Sequence, residues 1–169
     1  ALTDNINLGY SEWTPIGIYD NTNQYFCGSL DGNGYTISDL YISGVATPYI
    51  GLFGYAKNSV FKNITLAGTI EGIQVSDNNY YNIGGMCGKT EDTDFSDCKA
   101  AFFNIAGLER KGYRSGWMDG GCLAGYTKNG NFTNCKAEEC SINFKSGKYT
   151  SGILVGACNS TKISDCSVS

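Results

Sequence analysis

The sequence predicts an all-β fold, a parallel β-solenoid of about five to six coils. A short motif recurs every few tens of residues, which is the signature of a repeat architecture. The segments between the motifs alternate or run apolar and are punctuated by Gly and Asn, as strands are, and no stretch carries the i, i+3, i+4, i+7 stripe of a helix. Short strands that cannot bury an apolar face alone bury it by stacking. A β-propeller is the alternative, but each unit is predicted to hold about three very short strands, and nothing in the sequence indicates ring closure.

The repeat has a fixed core and an insert of variable length. A Gly-rich segment leads to an apolar residue that is followed, two residues later, by Asp or Asn. Residues 51–54 lead to 61–64, residues 85–88 to 95–98, residues 121–125 to 132–135, and residues 152–156 to 163–166. An earlier, divergent copy ends at residues 37–40. We therefore predict one domain over 1–169, with N-terminal coils in 1–50 and the repeats in 51–169.

Stacking the copies predicts columns of equivalent residues. The first is an internal apolar ladder of Ile37, Phe61, Phe95, Phe132 and Ile163. The second is a corner ladder, because Asp and Asn tolerate the left-handed backbone: Asp39, Asn63, Asp97, Asn134 and Asp165. The third contains Leu40, Ile64, Cys98, Cys135 and Cys166. Stacked Cα atoms about 4.8 Å apart are within disulfide range, so we expect a bond between Cys135 and either Cys98 or Cys166.

Composition excludes several classes of function. The chain has no His, which removes Ser-His and Cys-His nucleophilic pairs and His-ligated zinc. Its net charge of -4 provides no basic field for nucleic acid, and no apolar run is long enough to span a membrane. The Asp-Gly-Asn-Gly run at 31–34 lacks the further acidic ligands of a calcium loop and fits a tight turn. We expect no metal, no cofactor and no catalytic residue.

Cysteine usage indicates the compartment. Eight Cys without a Cys-x-x-Cys pair favour an oxidising, extracellular location over a zinc or thioredoxin-like site, with buried free thiols as the alternative. Three Asn-x-Ser/Thr sequons, at Asn63, Asn131 and Asn159, are possible glycosylation sites only if the chain passes through a eukaryotic secretory route.

Two segments carry a family resemblance. Residues 13–17, Trp-Thr-Pro-Ile-Gly, and residues 26–37, with the string Asp-Gly-Asn-Gly-Tyr-Thr-Ile, resemble the opening coil of bacterial surface proteins with GLUG repeats. The Gly-Leu-Phe-Gly-Tyr segment at 51–55 resembles the GLUG motif itself. Such segments occur in adhesin-like chains and in the non-catalytic region of IgA-specific metallopeptidases. The resemblance implies a right-handed β-helix in an extracellular stalk or binding region, and no catalytic residue of the family maps onto this chain.

The inserts are the candidate binding face. They span roughly 73–83, 107–119 and 143–151, and they should emerge from one side of the rod. Aromatic rings with Arg and Lys suit contact with a glycan or a protein. The predicted ligand-binding residues are Tyr80, Tyr81, Arg110, Tyr113, Arg114, Trp117, Lys148 and Tyr149. The alternative is that these aromatics fold back over the rod as lids.

These observations predict a non-catalytic, extracellular structural and binding segment of a bacterial surface protein, serving adhesion or display. Two alternatives stay open. The first is a self-assembling filament subunit, because uncapped solenoid ends invite self-association. The second is a polysaccharide-acting enzyme that uses the Asx ladder, although Asp97 and Asp165 would be two rungs apart, at the outer limit for a pair of catalytic carboxylates.

Overall fold

The computed structural model describes residues 1–18, 24–44, 47–75, 80–110 and 117–169, with the side chain of Arg110 excepted. The described residues contain strands and turns and no helix. In chain order the strands are β1 (Ile6–Asn7), β2 (Ser29–Asp31), β3 (Thr36–Ser43), β4 (Tyr49–Ile50), β5 (Phe53–Lys57), β6 (Val60–Lys62), β7 (Thr65–Glu71), β8 (Gln74–Val75), β9 (Tyr81–Gly84), β10 (Cys87–Glu91), β11 (Asp94–Ser96), β12 (Lys99–Arg110), β13 (Trp117–Gly121), β14 (Ala124–Lys128), β15 (Asn131–Thr133), β16 (Lys136–Glu138), β17 (Ser141–Ser146), β18 (Lys148–Ser151), β19 (Val155–Asn159), β20 (Lys162–Ser164) and β21 (Ser167–Val168).

The strands form four parallel sheets that run along the solenoid. Sheet A has the order β1-β3-β7-β12-β16-β21, with β8 and β17 also paired to β12. Sheet B is β5-β10-β14-β19, sheet C is β2-β6-β11-β15-β20, and sheet D is β4-β9-β13-β18. The chain visits D, B, C and A in turn and then starts the next coil. The predicted parallel β-solenoid is therefore confirmed.

The coil number is smaller than the five to six predicted. Sheets B and D have four strands each in the described part of the chain, so the solenoid makes about four complete turns. The described part of residues 1–44 is not a full coil, because it adds no strand to sheet B or sheet D. Within it β1 pairs with β3 and Glu12 bridges to Tyr41. It joins the next coil through β2, β3 and the isolated bridges of Ile16 to Phe53 and Phe26 to Ala56. No described segment is a helix that is long and apolar enough to cross a membrane.

A stack of phenylalanines fills the interior. Phe61, Phe95 and Phe132 are each at most 1% exposed, and their ring centroids lie 5.1 and 4.5 Å apart. Offset or stacked rings at this separation stabilise a core beyond the area that they bury. The predicted start of this ladder is wrong, because Leu30 pairs with Phe61 whereas Ile37 pairs with Leu66.

The corner between sheets C and A confirms the Asx ladder over four copies. Asn63, Asp97, Asn134 and Asp165 have φ values of 54°, 53°, 51° and 56°, in the left-handed region. The amide of Asn134 donates to the Asp97 carboxylate at 2.6 Å, which ties two rungs together. Asp39 does not belong to this corner. It also has a positive φ, of 58°, but it lies within β3 at a register shift between Ile37 and Leu40.

Glycine lets sheets B and D approach to backbone contact. A Cβ on Gly125 of β14 would lie 2.4 Å from the Ile83 nitrogen of β9, and one on Gly88 would lie 2.5 Å from the Ile50 nitrogen of β4. A Cβ on Gly156 would lie 2.6 Å from the Gly120 nitrogen of β13. These separations leave no room for any side chain, so the second glycine of the repeated motif is required by the packing of the two sheets.

The described residues of the predicted loop inserts are largely in strands. The connections from sheet A to sheet D do follow one side of the solenoid, but β12 continues to Arg110 and the inserts also supply β8, β9, β13, β17 and β18. Sheet D is therefore built mostly from residues that the repeat alignment treated as variable loops.

The phenylalanine stack predicts a large loss of stability on truncation. Phe95→Ala removes a ring that is packed on both sides, so we expect the free energy of unfolding to fall by about 3–5 kcal/mol. Urea denaturation measures it. Phe102→Ala is the matched control, because Phe102 is 73% exposed, and it should change stability by no more than about 0.5 kcal/mol. Equal losses in the two variants would contradict the internal stack.

Candidate functional site: a tyrosine-lined cleft

One face of sheet D presents two columns of polar and aromatic residues. Successive side chains of a strand point to opposite faces of the sheet. Ile83 and Met118 are buried, so the residues directly before and after each of them in the chain point to the other face. One column consists of Tyr49, Asn82, Asp119 and Thr150, which are matched across the strands. In the adjacent column Trp117 pairs with Lys148, and Tyr80 directly precedes Tyr81, the register partner of Met118.

Sheet B contributes a third column. Tyr55, Lys89 and Tyr126 are register partners on β5, β10 and β14. The ammonium of Lys89 lies 5.4 Å from the centroid of the Tyr49 ring and 4.9 Å from that of Tyr55, so it bridges the two sheets.

Side chains from the two sheets enclose an open cleft of about 370 Å³, which we call the tyrosine cleft. Its lining residues are Tyr49, Tyr80, Asn82, Lys89, Asp119 and Tyr126. The volume falls within the range of small-molecule sites, and the lining combines three aromatic rings with an amide, a carboxylate and an ammonium. Such a lining offers rings for the apolar face of a ligand and both donors and acceptors for its hydroxyl groups.

A charged network fixes Lys89 at the edge of the cleft. Its ammonium lies 3.0 Å from the Glu91 carboxylate, which also pairs with Lys57 at 3.5 Å and accepts a hydrogen bond from the Tyr55 hydroxyl. Partial burial alone would raise the pKa of Glu91, but the contacts with Lys89, Tyr55 and Lys57 outweigh it and lower that pKa. Burial, followed by the bond to Glu91, raises the pKa of Tyr55, so this hydroxyl stays a donor.

Asp119 is the acidic group inside the cleft. Burial raises its pKa, opposed by a hydrogen bond from Thr150 on the next strand. Asn82, its register partner, is only 5% exposed. The column therefore presents one amide and one carboxyl group in fixed positions, since the strands on either side hold both backbones.

The structure brings together some of the predicted ligand-binding residues. Tyr80 is 61% exposed and lines the cleft. Trp117 is 39% exposed and does not line the cleft, and the Lys148 ammonium lies 5.8 Å from its ring centroid. Tyr149 is 48% exposed, but its ring stacks on Phe144 at 4.5 Å, at the edge of sheet D.

The prediction for Tyr81 is wrong. This residue is 2% exposed and packs in the core, because it alternates with Tyr80 along the strand and therefore faces the opposite way. Arg110 ends β12 with its backbone paired to Val75, and its side chain lies outside the described part of the structure. Tyr113 and Arg114 also lie outside the described residues.

Sequence reasoning missed most of the cleft. Tyr49, Asn82, Lys89, Asp119 and Tyr126 come from two sheets and from three coils. The sequence alignment placed Asn82 and Asp119 in the inserts and Tyr49 in the N-terminal coils. A usable signal was present in the Lys89 and Tyr126 pair, because both follow the second motif glycine directly. Residues that follow a repeated motif at the same distance along the chain are expected to lie in the same column of the solenoid.

The predicted cysteine column is present from Ile64 to Cys166, but the prediction for Leu40 is wrong, because Leu40 pairs with Gly68 and not with Ile64. Cys98 and Cys135 are buried, their thiols share a hydrogen bond, and the Cys135 backbone N–H donates to the Cys166 sulfur at 3.3 Å. All eight cysteines lie within the described ranges, and each is a free thiol that is not part of a disulfide. A disulfide of Cys135 with Cys98 or Cys166 stays a prediction.

The three sequons differ in surroundings. The Asn63 amide donates to Asp31 at 3.2 Å in a partly buried corner, and the Asn131 amide donates to Asp94 at 2.7 Å at an exposed position. Asn159 is exposed. Glycosylation at these positions stays a prediction. Within the described residues no group of three or more Cys, Asp or Glu side chains is arranged to hold a metal ion.

Comparison with known proteins gives limited information. No protein-family model matches the chain, and no solved structure matches it. A protein of Evansella cellulosilytica named "Putative Gly-rich membrane protein" is 41% identical over 75 residues, which are 42% of this chain and 8% of that protein. The match therefore covers less than a tenth of the length of that relative.

The charged network predicts a pH-dependent contribution to stability. The folded state lowers the pKa of Glu91 below its ordinary 4.5, so its carboxylate stabilises the fold above about pH 4.5, and this contribution is lost as the pH falls through the lower, folded-state pKa. Glu91→Gln should therefore cost on the order of 0.5–1 kcal/mol at pH 6, a small value because solvent screens the pairs, and nearly nothing at pH 3. Denaturation curves at both pH values measure it, and a cost that is equal at pH 6 and pH 3 would contradict the network.

Proposed function

We propose that this chain is a non-catalytic structural and binding segment of an extracellular surface protein, and that it binds a glycan in the tyrosine cleft. The observation that carries the proposal is the convergence of three tyrosine rings, Asn82, Lys89 and Asp119 on one cleft. A sugar ring has an apolar face and a rim of hydroxyl groups, and this lining complements both.

The rigidity of the scaffold supports a role in binding. Each cleft residue from sheets B and D lies on or directly beside a strand that is paired on at least one side. Preorganised side chains lose little conformational freedom when a ligand binds, which favours affinity. The exposed Tyr80 gives the cleft an accessible aromatic edge, and large exposed rings are typical of contact surfaces.

The proposed extracellular location rests on the cysteine content of the sequence and on the name of the relative. Eight Cys in a chain of this size are typical of proteins from an oxidising compartment. The Evansella cellulosilytica relative is named as a membrane protein, which agrees with a place in the cell envelope for a protein that includes such a segment. Adhesion or display is the role that a rigid rod with a lateral cleft would serve there.

Glycan-array binding with matched variants tests the proposal. Tyr80→Ala removes the exposed ring, and Asp119→Asn keeps the size of the side chain while removing the carboxyl group. Each should weaken binding to the recognised glycan by roughly tenfold to a hundredfold, since contact residues at the centre of a site contribute about 1.4–3 kcal/mol. Tyr10→Ala is the control, because Tyr10 is 57% exposed and lies outside the cleft, and it should leave binding unchanged.

Two results would contradict the proposal. One is the absence of any glycan ligand for the folded wild-type chain, combined with capture of a protein partner that Tyr80→Ala does not weaken. The other is equal binding by the wild type and both cleft variants.

A further inference from the structure

Two cysteines outside the predicted column face each other across the interior of the third complete coil. Cys122 lies in the turn between β13 and β14 and is fully buried, and Cys140 lies in the bend between β16 and β17 and is partly exposed. Their thiols share a hydrogen bond. The Cys140 thiol also lies 3.3 Å from the Glu138 carbonyl oxygen and 3.4 Å from that of Ala100, which fixes its position.

The preceding coil shows that these two positions are true neighbours. The register of the sheets aligns Cys122 with Gly85 and Cys140 with Phe103. A Cβ on Gly85 would lie 3.0 Å from the end of the Phe103 ring. The same interior space is therefore filled by a glycine and a phenylalanine in one coil and by two thiols in the next.

We propose that Cys122 and Cys140 form a thiol–disulfide couple that covalently links two corners of one coil of the solenoid. The bond would join the start of β14 to the end of β16 and so enclose the strands of sheets B, C and A in a ring. Nothing in the proposal depends on the tyrosine cleft or on its ligand.

The chemistry needs a low-molecular-weight disulfide as the oxidant. The Cys140 thiolate attacks one sulfur of this disulfide, a mixed disulfide forms on Cys140, and one thiolate of the oxidant leaves. Cys122 then loses its proton and attacks the Cys140 sulfur. The second half of the oxidant leaves as a thiolate, and this thiolate takes up the proton from Cys122. Two protein thiols are oxidised to one disulfide, and the oxidant is reduced to two thiols.

The surroundings of the two thiols suit Cys140 to react first with the oxidant and Cys122 to react second with the mixed disulfide. A hydrogen bond from Cys122 lowers the pKa of Cys140 to about 7, and Cys140 is a partly exposed residue, which a small oxidant reaches more readily than a fully buried one. The bond with Cys140, together with burial, raises the pKa of Cys122, so it stays a thiol until the mixed disulfide forms. Cys98 and Cys135 are both buried, so the same oxidant reaches them less readily.

Oxidised glutathione and peptide mapping test the couple in the full chain. The reduced protein is incubated with oxidised glutathione, the remaining thiols are blocked with N-ethylmaleimide, and the digest is analysed by mass spectrometry. We expect a Cys122–Cys140 cross-linked peptide as the main early product. Cys122→Ala should abolish it and accumulate a stable glutathione adduct on Cys140, whereas the control Cys158→Ser, at an exposed cysteine, should leave the cross-link unchanged.

Thermal unfolding of the oxidised and reduced wild-type protein supplies a second readout. Closing a loop of this size should raise the Tm of the oxidised wild type by on the order of 5–10 °C over the reduced form. Cys140→Ser should lose this increase. A main product that links other cysteines, or a Cys122→Ala variant that folds but does not retain glutathione on Cys140, would overturn the proposal.

Discussion

Direct backbone contact between sheets B and D is the constraint on which the structure depends. At Gly88 and Gly125 the neighbouring strand comes so near that any Cβ would overlap a main-chain nitrogen. Protein interiors are close-packed, so a contact of this kind cannot be loosened locally without moving the whole strand. Because the same glycine recurs in each coil, the contact is propagated along the solenoid and fixes the cross-section of every turn.

The cleft and the thiol pair both follow from this cross-section. Lys89 of sheet B reaches the Tyr49 ring of sheet D because the two sheets are held close together, and the interior at Cys122 is narrow enough for its thiol to meet Cys140. A solenoid varies in function by changing residues at fixed positions of a rigid repeat. Here the same interior space is filled by Gly85 and Phe103 in one coil and by Cys122 and Cys140 in the next.

The sequence predicts what repeats and misses what does not. The solenoid, the Phe61 to Phe132 stack and the left-handed Asx corner follow from a motif that recurs with fixed internal spacing. The start of the ladder at Ile37 was wrong because the first coil has a longer corner, and the strand register, not the similarity of the letters, sets the partner. The cleft was missed because sheet D has no motif of its own, so the alternation that buries Tyr81 and exposes Tyr80 was invisible until its strands were paired.

The free energy of unfolding of Gly125→Ala tests the central constraint most directly. The added Cβ would lie 2.4 Å from the Ile83 nitrogen and 2.7 Å from the Gly88 oxygen, both main-chain atoms, so we predict a loss of about 3 kcal/mol or more in urea denaturation. Gly72→Asn is the control, because Gly72 has a φ of +66°, which Asn tolerates, and no atom lies within 4 Å of its Cβ position. A loss below about 1 kcal/mol for Gly125→Ala, similar to that of the control, would contradict the account.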